Sequence, residues 1–433
     1  QWMWGQLASK LVRVGTHAEL ERSGREGLKD LTANDQRWAP AADLVLTTSP
    51  DVGTSTQISP IMDHKVYGPE SEKDLETAHG AAGTQRPTLH PSEDPWTRHV
   101  RFEIAEANCM SAVGSFGRMG HHIGIPFFPI MTVYDFFIKR ALDQLFYNLY
   151  YGAEFVILGT PSGVTLAPEG AQHSWKSDIQ IPNLITWEPI FGIEVDWILC
   201  DAIRRHFDDE NEGRRGVLIR AVTRSIEQRE LLRRMRRHPR YRNDPEDLDS
   251  DPLPDEEILA ATRTDCLDGG YYLVDFRGQP DYEPGANAMH IFAMGSPATE
   301  ALEASDRLRE MGVYANVIAV TSPDLLLGGL GRATDYAHLR QTLGCTGDLH
   351  LTPSEPVDTT AEVATLAGRR TPLVAVVDGE PGLLDNIGSV LGVRQITLGV
   401  RKFSKSGRPD QVYRYQGIDA DSIIDACGRA LSE

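Results

Sequence analysis

The sequence predicts an α/β protein of two open, mostly parallel sheets, and three observations carry that expectation. Short apolar runs alternate with stretches of helical spacing along most of the chain, the pattern of strands joined by crossover helices. The 433 residues exceed one ordinary core, at a prior of about 150 residues per domain. Hydrophobic residues make up 41% and charged residues 24%, a globular balance that excludes a disordered chain.

In order along the chain, Trp2 to Val12 has helical character, and Leu44 to Thr47 reads as a short buried strand entering a Ser49-Pro50-Asp51 turn. Residues 53–98 are rich in Gly, Pro, Ser, Asp and His, a long irregular excursion of the kind that carries function. Val100, Phe102 and Ile104 then alternate with Arg101 and Glu103 as in a strand, whereas Ala105, Cys109, Ala112, Val113 and Phe116 follow helical spacing. The period therefore switches from 2 to 3.6 near Glu106. A helix over 137–152, strands at 154–159 and 184–187, a helix over 192–207 and a strand at 216–222 complete the first domain, residues 1–228.

Residues 229–288 read as a charged connection, entered by an Arg-rich helical run that begins at 224 and extends to 242, and continued by an acidic, Pro-broken stretch. The second domain, 289–433, has strands expected near 289–295, 314–320, 372–379 and 394–400, with helices at 297–311, 381–391 and 418–431.

Lys and Arg number 43 against 62 Asp and Glu, a net charge of -19. That balance excludes binding through phosphate neutralisation, so neither nucleic acid nor an anionic membrane surface is an expected partner. The most apolar stretch, 123–133, is short and holds Pro126 and Pro129, so no spanning segment is expected. Five Cys lie far apart, with no spacing that suggests a disulfide framework or zinc site, which fits a reducing, cytoplasmic compartment. MGSPATEA (294–301) lacks the glycine fingerprint of a dinucleotide site.

In an open parallel sheet, ligands gather at the carboxyl ends of strands. The residues there are Asp51, Glu106, the turn from Met131 to Tyr134, and the loop TPSGVTLAPEGAQHS (160–174) with its two Pro, Glu169 and His173. By themselves these residues have plainer readings. Glu106 could simply complement a helix dipole, Ile104 and Tyr134 could be core residues, and His173 a solvated loop side chain.

RFEIAEANCM (101–110), IPFFPIMTVYDFF (125–137) and GTPSGVTLAPEGAQHS (159–174), in this order, resemble the pyrimidine-binding domain of transketolase-like thiamine diphosphate enzymes. The likeness is greatest to the homodimeric type of pyruvate dehydrogenase decarboxylating component. LVLTTSPDVGTST (44–56), DGGYYLV (268–274) and the segments VVDG and LGVRKFSKSG extend it into a transketolase C-terminal domain. Essentially all of the chain is covered, apart from stretches around 57–95 and 230–260.

The resemblance implies that Glu106 is the carboxylate that bonds the aminopyrimidine and shares its proton. It further implies that Ile104 wedges the cofactor into its bent form, that Tyr134 stacks on the pyrimidine beside Met131 and Phe137, and that Asp51 helps to position the cofactor. By the same resemblance His173 is expected to face the reacting carbonyl, where an imidazole can donate to a developing alkoxide. His121 and His122 are left as structural.

The Gly-Asp-Gly and Asn ligands that hold magnesium and the diphosphate in this family have no match. Only Gly347-Asp348-Leu349 and Asp378-Gly379 come near, and no metal ligand is expected on this chain. The resemblance therefore implies one subunit of a split enzyme, or a C-terminal piece, whose alpha-type partner half supplies the diphosphate and magnesium site. Two such pairs are expected to dimerise.

The implied reaction is transfer of a two-carbon unit. The donor is a 2-oxo acid such as pyruvate, with a lipoyl or carrier-protein arm as acceptor, or a ketose phosphate, with an aldose or carrier protein as acceptor. A non-catalytic subunit that only stabilises its partner is the rival from another class.

Overall fold

The structure is a computed structural model that describes residues 2–50, 56, 58, 66–67, 99–164, 181–207, 216–222, 224–284, 286–330, 365–366 and 369–432. The chain divides into two compact units, residues 1–161 with 202–221, and residues 162–201 with 222–433.

In the first unit the strands are β1 (Val45–Ser49), β2 (Val66–Tyr67), β3 (His99–Arg101), β4 (Phe128–Val133) and β5 (Phe155–Ser162). The second unit's segment contributes β6 (Leu184–Trp187), and β7 (Gly216–Val222) returns to the first unit. The first unit's strands lie in the order β2-β3-β1-β4-β5-β7. The pairs β2–β3, β1–β3, β1–β4 and β4–β5 are all parallel. Strand β4 is buried at all six positions, as expected of a strand covered on both faces.

Two helices set the geometry around residue 106. The first is Glu106–Phe116, which begins where the hydrophobic period changes, and the second is Leu142–Tyr150. They approach closely because Gly114 has no side chain. A Cβ there would meet the Asn148 amide at 1.9 Å, and that amide donates to the Met110 carbonyl at 2.7 Å. The expected helix over 137–152 is divided: a 3-10 segment, Asp135–Ala141, precedes the α-helical part.

The second unit's sheet adds β8 (Gly270–Val274), β9 (Ala288–Met294), β10 (Tyr314–Val320), β13 (Leu373–Val377) and β14 (Gln395–Leu398) in the order β14-β13-β9-β10-β8. Between β10 and β13 lies a small antiparallel pair, β11 (Thr365–Leu366) and β12 (Arg369–Arg370). Only β8 runs antiparallel to its neighbour. The stretch read as a charged connection thus supplies a helix, Asp255–Leu267, and an edge strand of the sheet.

The Arg-rich run gives only the short helix Glu230–Met235. Pro239, which has no N–H and disfavours helical geometry at His238, starts a separate 3-10 turn. Among the described residues no helix is long and apolar enough to cross a membrane.

Candidate active site

Strand β1 lies between β3 and β4. The chain passes from β1 to the β3 side and then crosses back to β4, so the strand order reverses at β1. Because these strands are parallel, Ser49, Arg101 and Val133 all end at one edge. That edge, at a topological switch point, is where an open α/β sheet forms a ligand crevice.

After β3 the backbone turns sharply. Phe102 N–H donates to the Ser49 carbonyl at 3.0 Å, and Ala105 N–H donates to the Glu103 carbonyl at 2.8 Å, closing a three-residue turn centred on Ile104. Glu103 has φ 52, a left-handed conformation that costs a non-glycine residue energy. The turn leaves Ile104 72% exposed, an apolar side chain at this edge of the sheet. Glu106 follows as the first residue of its helix, where a carboxylate suits the helix dipole, and is only 4% exposed.

A buried carboxylate needs a partner. Arg140, at the far end of the 3-10 segment after β4, donates from Nη1 to Glu106 Oε1 at 2.8 Å. Its guanidinium carbon lies 3.9 Å from the Phe137 ring centroid. Phe137 in turn meets Tyr134 edge-on at 5.4 Å. Arg140 thereby links Glu106 to Phe137 and, through it, to Tyr134.

Met131 is fully buried inside the sheet, in register with Thr48 of β1 and Ile157 of β5. Thr48 Oγ1 accepts from the Cys109 thiol at 3.4 Å, one turn beyond Glu106. Burial pushes the Cys109 thiol up to about 12, with the Glu106 charge adding and the Thr48 contact opposing. A thiol so held stays neutral at pH 7 and is no nucleophile.

Asp51 and His173 lie outside the described residues. Among the described residues, no three His, Cys, Asp or Glu side chains come together as a metal site. Asp378 of the Asp378-Gly379 pair is buried and accepts from Val164 N–H at 2.8 Å, Ser296 Oγ at 3.1 Å and Tyr413 Oη at 2.8 Å. It fastens the second unit's residues just past β5 to that unit's own sheet.

Two residues that sequence reasoning passed over brace the strands at this edge. His99, fully buried at the start of β3, has Thr47 Oγ1 2.9 Å from Nδ1 and Ser49 Oγ 2.9 Å from Nε2. Burial, helped by Arg101, pushes its imidazole down to about 3, so the ring stays neutral and ties β1 to β3. Arg220 is the one charge in the apolar run GVLIRAV, and that isolation is the signal that could have revealed it. It meets Asp135, the residue after Tyr134, in a buried ion pair at 3.2 Å.

No family model matches the chain. It is 26% identical over 339 residues to the pyruvate dehydrogenase E1 component of Mycolicibacterium smegmatis, a match covering 76% of the chain and 31% of that protein. It is 21% identical over 345 residues to transketolase 2 of Escherichia coli, covering 78% of the chain and 40% of that protein. The chain thus spans between about a third and two fifths of the length of these curated relatives.

A variant transketolase from Pichia stipitis superposes with a TM-score of 0.56 at 14% identity, over 91% of the chain and 44% of that structure. Transketolase from Campylobacter jejuni gives 0.53 at 12% identity, over 93% and 47%. At such identities the structures speak to the fold. Taken with the sequence matches, they make the chain a relative of the transketolase-like thiamine diphosphate enzymes, related to the pyruvate dehydrogenase E1 component.

Proposed function

We propose that this chain is the pyrimidine-side half of a thiamine diphosphate enzyme that transfers a two-carbon unit, acting with a partner half that supplies the diphosphate and magnesium site. The observation that carries the reading is Glu106, a buried carboxylate at the switch-point edge, joined through Arg140 to Phe137 and Tyr134. The residues present fit the pyrimidine end of the cofactor. Among the described residues the Glu106 carboxylate accepts one hydrogen bond, Arg140's at Oε1, and an aromatic face stands beside it.

Held beside these residues, thiamine diphosphate would supply the nucleophilic carbon for cleavage next to a ketone and transfer of a two-carbon unit. Glu106 holds and exchanges a proton at its carboxylate, and low exposure keeps competing water away. Tyr134 and Phe137 would offer the stacking wall, and Met131, buried in β4, enters on its sequence position beside them. Ile104, left exposed by the strained turn at Glu103, would be an apolar contact for the cofactor. Asp51 and His173 enter on their sequence positions alone, Asp51 for positioning and His173 as donor to the developing alkoxide.

The 26% identity to the pyruvate dehydrogenase component favours a 2-oxo acid donor and a lipoyl or carrier-protein acceptor. The match to transketolase over a similar span keeps a ketose phosphate donor, with an aldose or carrier-protein acceptor, as the second reading. Two pairs of halves dimerise, in the cytoplasm; the free thiols of Cys109, Cys200, Cys266 and Cys427 suit that compartment. The test is reconstitution with a partner carrying the Gly-Asp-Gly and Asn motif, followed by parallel assays with pyruvate and with a ketose phosphate. Turnover of one donor, lost in Glu106→Gln, supports the reading. Turnover of either donor by Glu106→Gln at the wild-type rate refutes it.

A further inference from the structure

The Arg140 contact has the chemistry of the ligand expected there. Its guanidinium is planar, lies 3.9 Å over the Phe137 ring, and gives an N–H to the Glu106 carboxylate at 2.8 Å. A flat group stacked on an aromatic and bonded to the buried acid is also what the aminopyrimidine must become. The Glu106 side chain is 4% exposed and cannot be left charged and unpaired without cost. The Arg140 side chain is 48% exposed, so it has an open path to water. Arg140 therefore satisfies the carboxylate at rest and is free to leave it.

We propose that Arg140 is a positioning residue that competes with the aminopyrimidine for Glu106, and so sets the chain's affinity for the pyrimidine end of the cofactor. The proposal rests on the reading of Glu106 as the pyrimidine-bonding carboxylate. Arginine suits the task better than lysine, since its plane can stack and donate at once. Lys139, the neighbouring cation, faces a different ring, with its ammonium 5.6 Å from Phe136. It does not duplicate the contact.

The experiment is a fluorescence titration of the full chain with thiamine, the probe that lacks the diphosphate, using wild type, Arg140→Ala, Arg140→Lys, Glu106→Gln and the Arg140→Ala/Glu106→Gln double variant. Loss of one charge-assisted hydrogen bond from the competitor should tighten thiamine binding about tenfold in Arg140→Ala. Arg140→Lys, which keeps a charge on Glu106 but loses the stack, should tighten it less and guards against misfolding of the alanine variant.

Millimolar guanidinium should restore weak binding to Arg140→Ala and leave wild type unchanged, an effect that a purely structural role does not produce. Unchanged or weaker binding in Arg140→Ala, with Glu106→Gln still impaired, overturns the competition while sparing the reading of Glu106. Thiamine binding by the double variant equal to that of Arg140→Ala removes Glu106 from the site, and the proposal falls with it.

Discussion

Arg220 and Asp135 form an ion pair in the interior of the first unit, with Nε 3.3 Å from Oδ1 and Nη2 3.2 Å from Oδ2, and both residues almost fully buried. Asp135 directly follows Tyr134 and opens the 3-10 segment that carries Phe137 and Arg140. The pair thus fixes the backbone from which the aromatic wall and the Glu106 contact are built.

Removing one partner leaves the other charge buried. Arg220→Met should lower the unfolding free energy of the first unit by about 3–5 kcal/mol, whereas replacing both residues with apolar ones should recover most of that loss. Urea unfolding of the three variants checks this. Gly159→Ala, which would bring a Cβ to 2.9 Å from Asp135 Oδ1, should disturb the same pair at a cost of about 1–3 kcal/mol.

His99 in the first unit and Glu194 in the second should contribute to the pH dependence of stability with opposite signs. His99 has a folded value of about 3 against an ordinary 6.5. Between those values only the unfolded chain takes up the proton, so stability present above pH 6.5 is lost as pH falls through that window. The slope is about 1.4 kcal/mol per pH unit for one proton. His99→Gln should remove one proton's worth of the slope in the first unit.

Burial raises Glu194, in the second unit, from 4.5 to about 7, although Tyr271 Oη and the Phe191 and Ile190 amides oppose the shift. The folded state keeps that proton where the unfolded chain loses it. The contribution is therefore complete below pH 4.5 and is lost as pH rises through 7. Tyr271→Phe, by deleting a donor to the carboxylate, should move the loss to higher pH. Thermal melts across pH 3–8 of the parent and both variants check the signs.

Much of the architecture of both units could be read from periodicity. The switch at Glu106, strands β6, β7 and β10 and the helix at Gly192–His206 follow from apolar runs and helical spacing with few competing signals. Strand β8 was hidden because the acidic, Pro-rich composition before it suggested a connection. The Asp135–Arg220 and Glu106–Arg140 pairs were hidden for a different reason. They join residues 85 and 34 positions apart, and no local pattern encodes such contacts. Buried polar residues become meaningful only once topology brings their partners together.

Asp378 offers a separate test of the second unit. Asp378→Ala deprives Val164 N–H and one hydroxyl of the mutually hydrogen-bonded Ser296–Tyr413 pair of an acceptor, and at about 1–3 kcal/mol for each buried group left unsatisfied the loss should be about 2–6 kcal/mol. Tyr413→Phe removes one of the three donors and should cost about 1 kcal/mol. Val164 immediately precedes residues 165–180, which include His173, so hydrogen exchange at the Val164 amide should rise in Asp378→Ala and stay low in Tyr413→Phe.

The central claim is that the Glu106 carboxylate exchanges a proton with the aminopyrimidine. It is tested most directly by the rate at which the thiazolium C2 proton of bound thiamine diphosphate exchanges with deuterium in the reconstituted enzyme, followed by NMR. Glu106→Gln keeps the shape and removes the proton-sharing group, so the account predicts retained cofactor binding and exchange slowed by about 10²-fold or more. Exchange at the wild-type rate in Glu106→Gln, with the cofactor bound, would contradict it.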